Sequence, residues 1–303
     1  MIDFLIGVDG GGTGTRVRLA RAAPRSNQPA APRGYTELAQ GSAGPSGLGL
    51  GIANAWAAVG DAIAQAFDAA GLERPGPART AIGLGLAGVH NKQWAQAFTA
   101  ANPGYPALVL ETDAFTTLMG AHGGHPGAIV AIGTGSVGEV LLADGTRREV
   151  GGWGFPAGDE AGGAWIGLRA INHVQQVLDG RQPRGALADA VVHACGGHRD
   201  TVQAWLGGAT QTAYASLAPL VLRHADDPVA AAILRDAGRE AAAIARALDP
   251  QGTLPLALCG SLGQALRPWM PAELAARAVA PAGDSAAGAL CVIAQYLAYH
   301  PVQ

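Results

Sequence analysis

Apolar runs that end in glycine turns open the chain. Residues 4–8 (FLIGV) lead to Asp9, the turn GGGTGT follows, and residues 16–21 then alternate arginines with apolar side chains. This pattern predicts a strand, a tight glycine turn and a second strand. A dinucleotide-binding loop would instead open a helix after its glycines. A third strand is expected near 35–39.

Helices and buried strands then alternate as far as residue 122. An amphipathic helix is predicted over 52–71, because its large apolar residues recur on one helical face. The other elements expected here are loops at 24–34 and 41–51, strands at 81–88 and 107–114, a helix at 91–101 and a helix that ends near 122.

The N-terminal pattern returns at residues 128–145. There an apolar run (AIVAI) meets the turn GTGS, and an alternating strand follows. Such self-similarity is typical of a repeated structural unit. The sequence therefore predicts two similar α/β halves, each with a β-hairpin whose glycine turn points into the space between them.

Helical patterns dominate after residue 150. A glycine loop begins at 151 and leads into a helix, and most of 186–248 is expected to be helical. The remaining expectations are an amphipathic helix from Pro228 to Leu248, a strand–turn–helix at 254–263, a strand at 276–280 and a helix from Ser285 to Tyr299 with Asp284 or Ser285 as its N-cap.

Composition excludes several classes of protein. The chain has 303 residues, enough for two domains. Lys92 is its only lysine, and no P-loop motif, which needs a lysine after its glycines, occurs. A net charge of −3 with scattered arginines makes a nucleic-acid-binding stripe an unfavourable interpretation. Uncharged runs are broken by prolines and glycines, so no membrane span is expected.

Cysteine usage and the N-terminus favour a cytoplasmic protein. Cys195, Cys259 and Cys291 are widely spaced and form no disulfide framework, as expected in a reducing compartment. The first residues contain an aspartate and lack the cationic region of a signal peptide. His193, Cys195 and His198 have the atoms to bind a metal, but no fourth ligand is evident nearby.

The two glycine hairpins are the strongest candidates for chemistry. Turns rich in glycine, threonine and serine present backbone N–H groups and hydroxyls to an anion. Two such turns would grip a polyphosphate from both sides, although each alone is also compatible with an ordinary hairpin. Asp9 before the first turn suits Mg²⁺ coordination; the alternative is a turn-initiating aspartate.

Further carboxylates occur where strands end or helices begin. Asp113 follows a buried strand and could take a proton from an attacking hydroxyl, or it could cap the next helix. Asp159 and Glu160 precede another helix and could bind sugar hydroxyls or interact with the helix dipole. Trp153 and Trp165 fit either a sugar site or a hydrophobic core.

The motifs together resemble one family. They are similar in order and spacing to the N-acetylglucosamine kinase and glucosamine kinase group, which belongs with the BadF/BadG/BcrA/BcrD ATPases in the sugar kinase–actin–heat-shock chaperone superfamily. The resemblance covers Ile6 to about Leu297 and looks closest to the bacterial glucosamine kinases. The motifs that carry it are DGGGTGTR (9–16), ETDA (111–114), AIGTGSVG (131–138), GGWGFPAGDEAGGAWIG (151–167) and LCGSLG (258–263).

The resemblance implies an α/β fold of two ribonuclease H-like domains with ATP and sugar in a cleft between them. The N-terminal domain would comprise residues 1–119 and the returning C-terminal helix at 285–303. Residues 120–284 would form the second domain, with a helical insertion. The implied reaction is transfer of the ATP γ-phosphoryl group to the O6 hydroxyl of an amino sugar, with ATP and Mg²⁺ as cofactors.

The resemblance also implies a role for individual residues. Asp113 would be the catalytic base and a sugar ligand, and Asp9 would organise Mg²⁺ through water. The remaining implied ligands of ATP are Gly10, Gly11, Gly12, Thr13, Thr15, Thr134, Gly135, Ser136, Gly260 and Ser261, and those of the sugar are Gly88, Gly152, Asp159 and Glu160.

Two departures leave the choice of sugar open. Gly44 stands where relatives usually carry an asparagine that touches the sugar, and Phe155 replaces a histidine common in N-acetylglucosamine kinases. The expected partner is a small amino sugar, with a homodimer as the candidate assembly. The alternatives are an enzyme-activating ATPase with an iron–sulfur cluster and a catalytically silent sugar sensor.

Overall fold

The chain divides into two compact units. The computed structural model describes residues 2–24 and 34–300, so nearly all of the loop expected at 24–34 lies outside the described residues. One unit comprises Met1–His125 and Pro281–Gln303, and the other comprises Pro126–Ala280. These divisions fall a few residues from the boundaries expected from the sequence.

The described residues form ten strands and twelve α-helices. The strands are β1 (Phe4–Gly10), β2 (Thr15–Ala22), β3 (Tyr35–Ala43), β4 (Thr80–Leu86), β5 (Ala107–Glu111), β6 (Gly127–Ile132), β7 (Ser136–Leu141), β8 (Arg147–Gly151), β9 (Leu256–Cys259) and β10 (Ala278–Val279). The helices are α1 (Ile52–Ala69), α2 (Lys92–Ala100), α3 (Asp113–Ala121), α4 (Gly163–Leu178), α5 (Ala186–Ala194), α6 (Arg199–Gly208), α7 (Gln211–Ala215), α8 (Ala218–Arg223), α9 (Pro228–Leu248), α10 (Gly263–Leu266), α11 (Ala272–Arg277) and α12 (Ser285–Tyr299).

The first unit is built on a mixed five-stranded sheet in the order β3-β2-β1-β4-β5. The first three strands pair antiparallel, whereas β4 and β5 run parallel to β1. Helix α1 covers one face, where Ile63 and Phe67 pack with Ile6 of β1. Helix α12 covers the other face, where Leu290 and Ile293 pack with Leu5.

Glycines in the strands let α12 approach the sheet closely. A Cβ on Gly7 of β1 would lie 2.1 Å from the carbonyl oxygen of Ala286, and one on Gly83 of β4 would lie 2.2 Å from that of Ala289. Real Cβ atoms do not come so near an oxygen. The glycines in these apolar strands therefore allow the backbone of α12 to contact the sheet directly.

The second unit repeats the first topology. Its sheet has the order β8-β7-β6-β9-β10, with β6, β7 and β8 antiparallel and with β9 and β10 parallel to β6. This duplicated order confirms the predicted α/β class and the internal repeat. Helices α4 and α9 supply much of the core against β6.

Most elements have the predicted type, but some bounds differ. Strand β3 extends to Ala43, into the loop that was expected from 41, and β5 ends at Glu111 rather than 114. Strand β8 was not expected, because its charged sequence RREVG is largely exposed and lies at a sheet edge. Helix α12 is capped by the Asp284 side chain, which accepts from the Ala287 N–H at 2.9 Å.

No helix among the described residues has the length and apolar character needed to cross a membrane.

A matched pair of glycine substitutions tests the close packing of α12. Gly83→Ala places a methyl against the α12 backbone and should lower the free energy of unfolding by about 1–3 kcal/mol. Gly60→Ala, in the interior of α1 where an added Cβ meets no atom within 4 Å, should raise it by about 0.5–1 kcal/mol. Urea unfolding of both variants measures the difference. Equal stability of the two would contradict the packing argument.

Candidate active site

The first glycine turn joins β1 to β2 and rests on the loop at 44–47. The N–H groups of Ser46 and Gly47 both donate to the Gly11 carbonyl oxygen, at 3.1 and 3.0 Å. Gly10 lies against this loop, since a Cβ there would come 2.0 Å from the Ser46 hydroxyl. The loop at 44–47 therefore supports the first glycine turn through these hydrogen bonds.

The outer residues of this turn face open space. A Cβ on Gly11 or Gly12 would meet no atom within 4 Å, and neither residue has a positive φ. Backbone conformation and packing within the described protein thus give no reason for glycine at these two positions. A ligand that approaches the backbone closely would give one. Thr13 is exposed beside them.

Thr15 points inward. Its side chain is 1% exposed. Its hydroxyl donates to the Gly44 carbonyl oxygen at 2.6 Å and lies 2.7 Å from the Ser46 hydroxyl. Of the residues predicted to bind phosphate in this turn, Thr15 is thus the one whose side chain holds the loop at 44–47.

Asp113 is a partly buried carboxyl with a perturbed pKa. Burial raises the pKa of Asp113, the negative charge of Asp9 raises it further, and the N–H of Ala114 partly offsets this by donating to the Asp113 carboxylate at 3.0 Å. His90 also lowers this pKa. The three ionisable groups therefore share one electrostatic environment.

Asp113 is not the cap of α3. The Thr112 hydroxyl accepts from the Phe115 N–H at 3.1 Å and caps the helix, while Asp113 is its first residue. The sequence analysis considered Asp113 as the possible cap of this helix, and the structure assigns that role to Thr112. The Asp113 carboxylate is left at the start of the helix.

Asp9 carries an ion pair that the sequence analysis missed. Arg16 lies opposite Asp9 in the β1–β2 register and donates to one Asp9 oxygen from Nη2 at 2.7 Å and from Nε at 3.1 Å. The hairpin prediction places residue 16 opposite residue 9, so this register was the signal available. Arg16 is 69% exposed, which leaves its guanidinium accessible to an anion.

Gly88 belongs to the same edge of the first sheet. It follows β4 with φ +93°, in the left-handed region that favours glycine. The neighbouring Ala87 N–H donates to the Gly10 carbonyl oxygen at 2.9 Å. Strands β1, β4 and β5 are parallel, so their carboxyl ends bring the first glycine turn, Asp9, Gly88 and Asp113 together.

The second glycine turn, residues 133–136, is packed against the segment at 158–164. Gly163 and Ala164 donate their N–H groups to the carbonyl oxygens of Gly133 and Thr134, at 2.8 and 2.9 Å. The buried Ser136 hydroxyl donates to the Glu160 carbonyl oxygen. Thr134 is exposed, so it is the side chain that this turn presents to solvent.

Asp159 lies beneath this turn. A Cβ on Gly135 would come 2.2 Å from one Asp159 oxygen. The two carboxylate oxygens accept from the Gly154 N–H and from the Gln211 side chain, both at 3.1 Å. Asp159 has φ 60° and Ala161 has φ 68°, so backbone strain is concentrated on either side of Glu160.

The other predicted residues of the second unit lie in glycine-rich turns. Gly260 follows β9 with φ +80°, and Ser261 is exposed next to it. Gly152 has φ +70° and precedes Trp153, which is 87% exposed. The alternative of core packing therefore fails for Trp153. It holds for Trp165, which is buried under the Arg169 guanidinium.

The described residues contain no group of three histidine, cysteine, aspartate or glutamate side chains that could hold a metal ion. Cys195 is buried at the end of α5, and burial raises the pKa of its thiol. His198 is the N-cap residue of α6. His193, Cys195 and His198 thus lie at the end of α5 and the start of α6.

Comparison with known proteins identifies the family. The model of the BadF/BadG/BcrA/BcrD ATPase family matches residues 6–258. A glucosamine kinase of Vibrio cholerae is 32% identical over 291 residues, which are 95% of either chain.

Solved structures agree with this assignment. A Chromobacterium violaceum structure described as a candidate N-acetylglucosamine kinase is 54% identical, with a TM-score of 0.90 over 96% of this chain and 99% of that one. A second, from Porphyromonas gingivalis, shares the fold at 16% identity with a TM-score of 0.65 and full coverage of both chains. The chain therefore belongs to the BadF/BadG/BcrA/BcrD ATPase family.

Proposed function

We propose that this protein transfers the γ-phosphoryl group of ATP to the O6 hydroxyl of glucosamine or N-acetylglucosamine. The observation that carries the proposal is the pairing of an open glycine turn with Asp113, whose pKa is raised, at one edge of the first sheet. The similarity to kinases of these two sugars supports the choice of acceptor.

The glycine turns would bind the phosphates. The Gly11 N–H already donates to the Gly14 carbonyl oxygen at 3.0 Å, so the first turn would offer an anion the exposed backbone of Gly12 and Thr13. Thr134 offers an exposed hydroxyl in the second turn. Gly260 and Ser261 would contact the adenosine. Thr15 and Ser136 would act on these turns from within, because their hydroxyls already bond to protein oxygens.

Asp9 fits a magnesium ion that arrives with ATP. Mg²⁺ keeps several waters and binds through one or two carboxylates together with phosphate oxygens, which matches one carboxylate beside an open phosphate turn. Bound Mg²⁺ supplies neutralisation of the phosphate charge. Exposed Arg16 is a second source of positive charge at this edge.

Asp113 would accept the proton of the attacking hydroxyl. The O6–phosphorus bond forms, the bond between the γ-phosphorus and the bridging oxygen of ADP breaks, and the O6 proton moves to the carboxylate. A carboxyl with a raised pKa is a better proton acceptor than an ordinary one. In a loose transition state, most of the remaining catalysis comes from positioning and charge neutralisation.

The proposed sugar ligands are Gly88 on the first unit and Gly152 and Glu160 on the second. Asp159 is buried, and its oxygens accept from Gly154 and Gln211, so partly exposed Glu160 is the carboxylate of this pair that a sugar can reach. A carboxylate near C2 would favour the ammonium of glucosamine through a charge-assisted hydrogen bond. Exposed Trp153 offers an apolar wall for the methyl group of an N-acetyl substituent.

No observation favours the iron–sulfur activator. Such a cluster needs several thiolates that converge on one point, and Cys259 is buried on β9. Cys195 is buried on another element of the same unit, and Cys291 lies on α12 of the first.

Asp113→Asn tests the catalytic base. The variant should bind ATP and sugar within a few fold of the wild type, but kcat should fall at least ~100-fold because general-base catalysis is lost. In the wild type, kcat/KM should decline on the acid side as Asp113 becomes protonated, at a pH above the usual range for a carboxyl. An unchanged kcat in the variant would contradict the base assignment.

The same variant should be more stable than the wild type at pH 8. The pKa of Asp113 is raised by folding, so its contribution to stability is complete below the unfolded pKa and is lost as pH rises through the folded pKa. Asparagine removes the charge that causes this loss. Urea unfolding at several pH values should show a gain that shrinks as pH falls toward the ordinary pKa of a carboxyl.

Gly12→Ala tests phosphate binding at the first turn. An alanine fits the empty space beside the turn, so the melting temperature should be unchanged. Its methyl would meet the phosphates, and KM for ATP should rise about tenfold or more, equivalent to losing ~1.4 kcal/mol of binding. Gly60→Ala is the control and should not change KM. An unchanged KM in Gly12→Ala would remove this turn from the ATP site.

An acceptor panel tests the substrate. Either amino sugar should exceed glucose in kcat/KM by at least about tenfold, because a buried polar group that recognises the C2 nitrogen is unpaired with glucose. A coupled ADP assay with glucosamine, N-acetylglucosamine and glucose measures this ratio. Equal or better turnover of glucose would defeat the amino-sugar assignment, and no turnover of any sugar would favour the silent sensor.

A further inference from the structure

Thr116 connects the first turn of α3 to α12. Its hydroxyl lies 3.2 Å from the carbonyl oxygens of both Thr112 and Asp113, and 2.8 Å from the Ser285 hydroxyl. Both hydroxyl residues are buried. Carbonyl oxygens only accept hydrogen bonds, and a hydroxyl has one proton. The Thr116 hydroxyl therefore links these carbonyl oxygens to the Ser285 hydroxyl, and either hydroxyl can be the donor in the bond between the two side chains.

The hydroxyl chain formed by Thr116 and Ser285 lies in a tightly packed region. A Cβ on Gly85 of β4 would lie 1.8 Å from the Thr116 hydroxyl oxygen, and one on Gly288 of α12 would lie 1.8 Å from the Thr116 carbonyl oxygen. One turn from Asp113, helix α3 is thus held by close contacts of the Thr116 side chain with Gly85 and of the Thr116 backbone with Gly288. Movement of the α12 N-terminus would be transmitted to α3, because close-packed interiors transmit strain.

An ion pair with Arg18 of β2 holds the N-terminus of α12 in place. Arg18 donates to the two Asp284 oxygens, from Nε at 2.8 Å and from Nη2 at 3.0 Å, and its Nη1 donates to Glu37 at 2.6 Å. Asp284 caps α12 at the residue before Ser285. Such two-pronged pairs fix orientation as well as distance, so the position of the Ser285 hydroxyl is determined by the sheet.

We infer that Ser285 and Thr116 are positioning residues for Asp113: their hydroxyl chain holds the first turn of α3 so that the carboxylate meets the acceptor hydroxyl at the geometry needed for proton transfer. The inference rests on the proposed function, in which Asp113 is the base. It assigns to α12 a part in the reaction, although none of the proposed ligands of ATP or sugar lies on this helix.

Kinetics of conservative variants test the inference. Ser285→Ala and Thr116→Val each break the chain with little change in volume, and each should lower kcat about tenfold, below the ~10²-fold that a 1 Å misplacement can cost. KM for both substrates should stay near the wild-type value. Thr116→Ser keeps the hydroxyl and should restore most of kcat. Thr80→Val removes a buried hydroxyl at the opposite end of β4 and is the matched control, with kcat unchanged.

A double-variant cycle separates positioning from general destabilisation. In the Asp113→Asn background there is no carboxylate to position, so adding Ser285→Ala should cause no further loss of kcat. A further tenfold loss in that background would overturn the inference, as would a wild-type kcat in the Ser285→Ala single variant. Should Thr116→Val fail to fold, the Ser285→Ala cycle alone gives the answer.

The two proposals fail in distinguishable ways. If Asp113→Asn retains full kcat, the base assignment of the proposed function is wrong. If Asp113→Asn loses kcat while Ser285→Ala and Thr116→Val do not, the proposed function stands and the positioning inference is wrong.

Discussion

Keeping a carboxylate partly buried beside a second carboxylate constrains the whole first unit. Burial and the charge of Asp9 both disfavour ionised Asp113, so the fold holds this group at a cost in stability. Other contacts must offset that cost, and the close packing of the α12 backbone on β1 and β4 is one of them. A carboxyl whose pKa is raised by burial and by a neighbouring negative charge, at the carboxyl ends of parallel strands, is a candidate active-site residue.

The same constraint explains why small residues concentrate around α3. Gly85, Gly288 and Thr116 let a strand, a helix and a second helix approach at backbone distance. Side chains packed this closely have few alternative rotamers, and a base needs such restriction to keep its geometry. Arg18 extends the arrangement to β2 through its bond with Asp284.

The glycine turns of the two sheets differ in what surrounds them. In the first unit, Gly11 and Gly12 leave empty space over the turn. In the second, Gly135 makes room for the Asp159 carboxylate, and Ser136 bonds to Glu160. One topology thus supplies an open turn in one half and a supported turn in the other, although both sequences match the same strand–turn–strand pattern.

Local sequence determined the hairpins, the long helices and the positions of Asp9 and Asp113 at strand ends, because hydrophobic period and turn chemistry are properties of neighbouring residues. Tertiary structure alone decided that Thr15 turns inward to Gly44, that Asp159 meets Gln211, and that Arg18 meets Asp284. Those outcomes depend on partners distant in sequence: Thr116 and Ser285 are separated by 169 positions, and Arg18 and Asp284 by 266. No periodicity encodes such pairings, since each exists only where packed elements bring two side chains together.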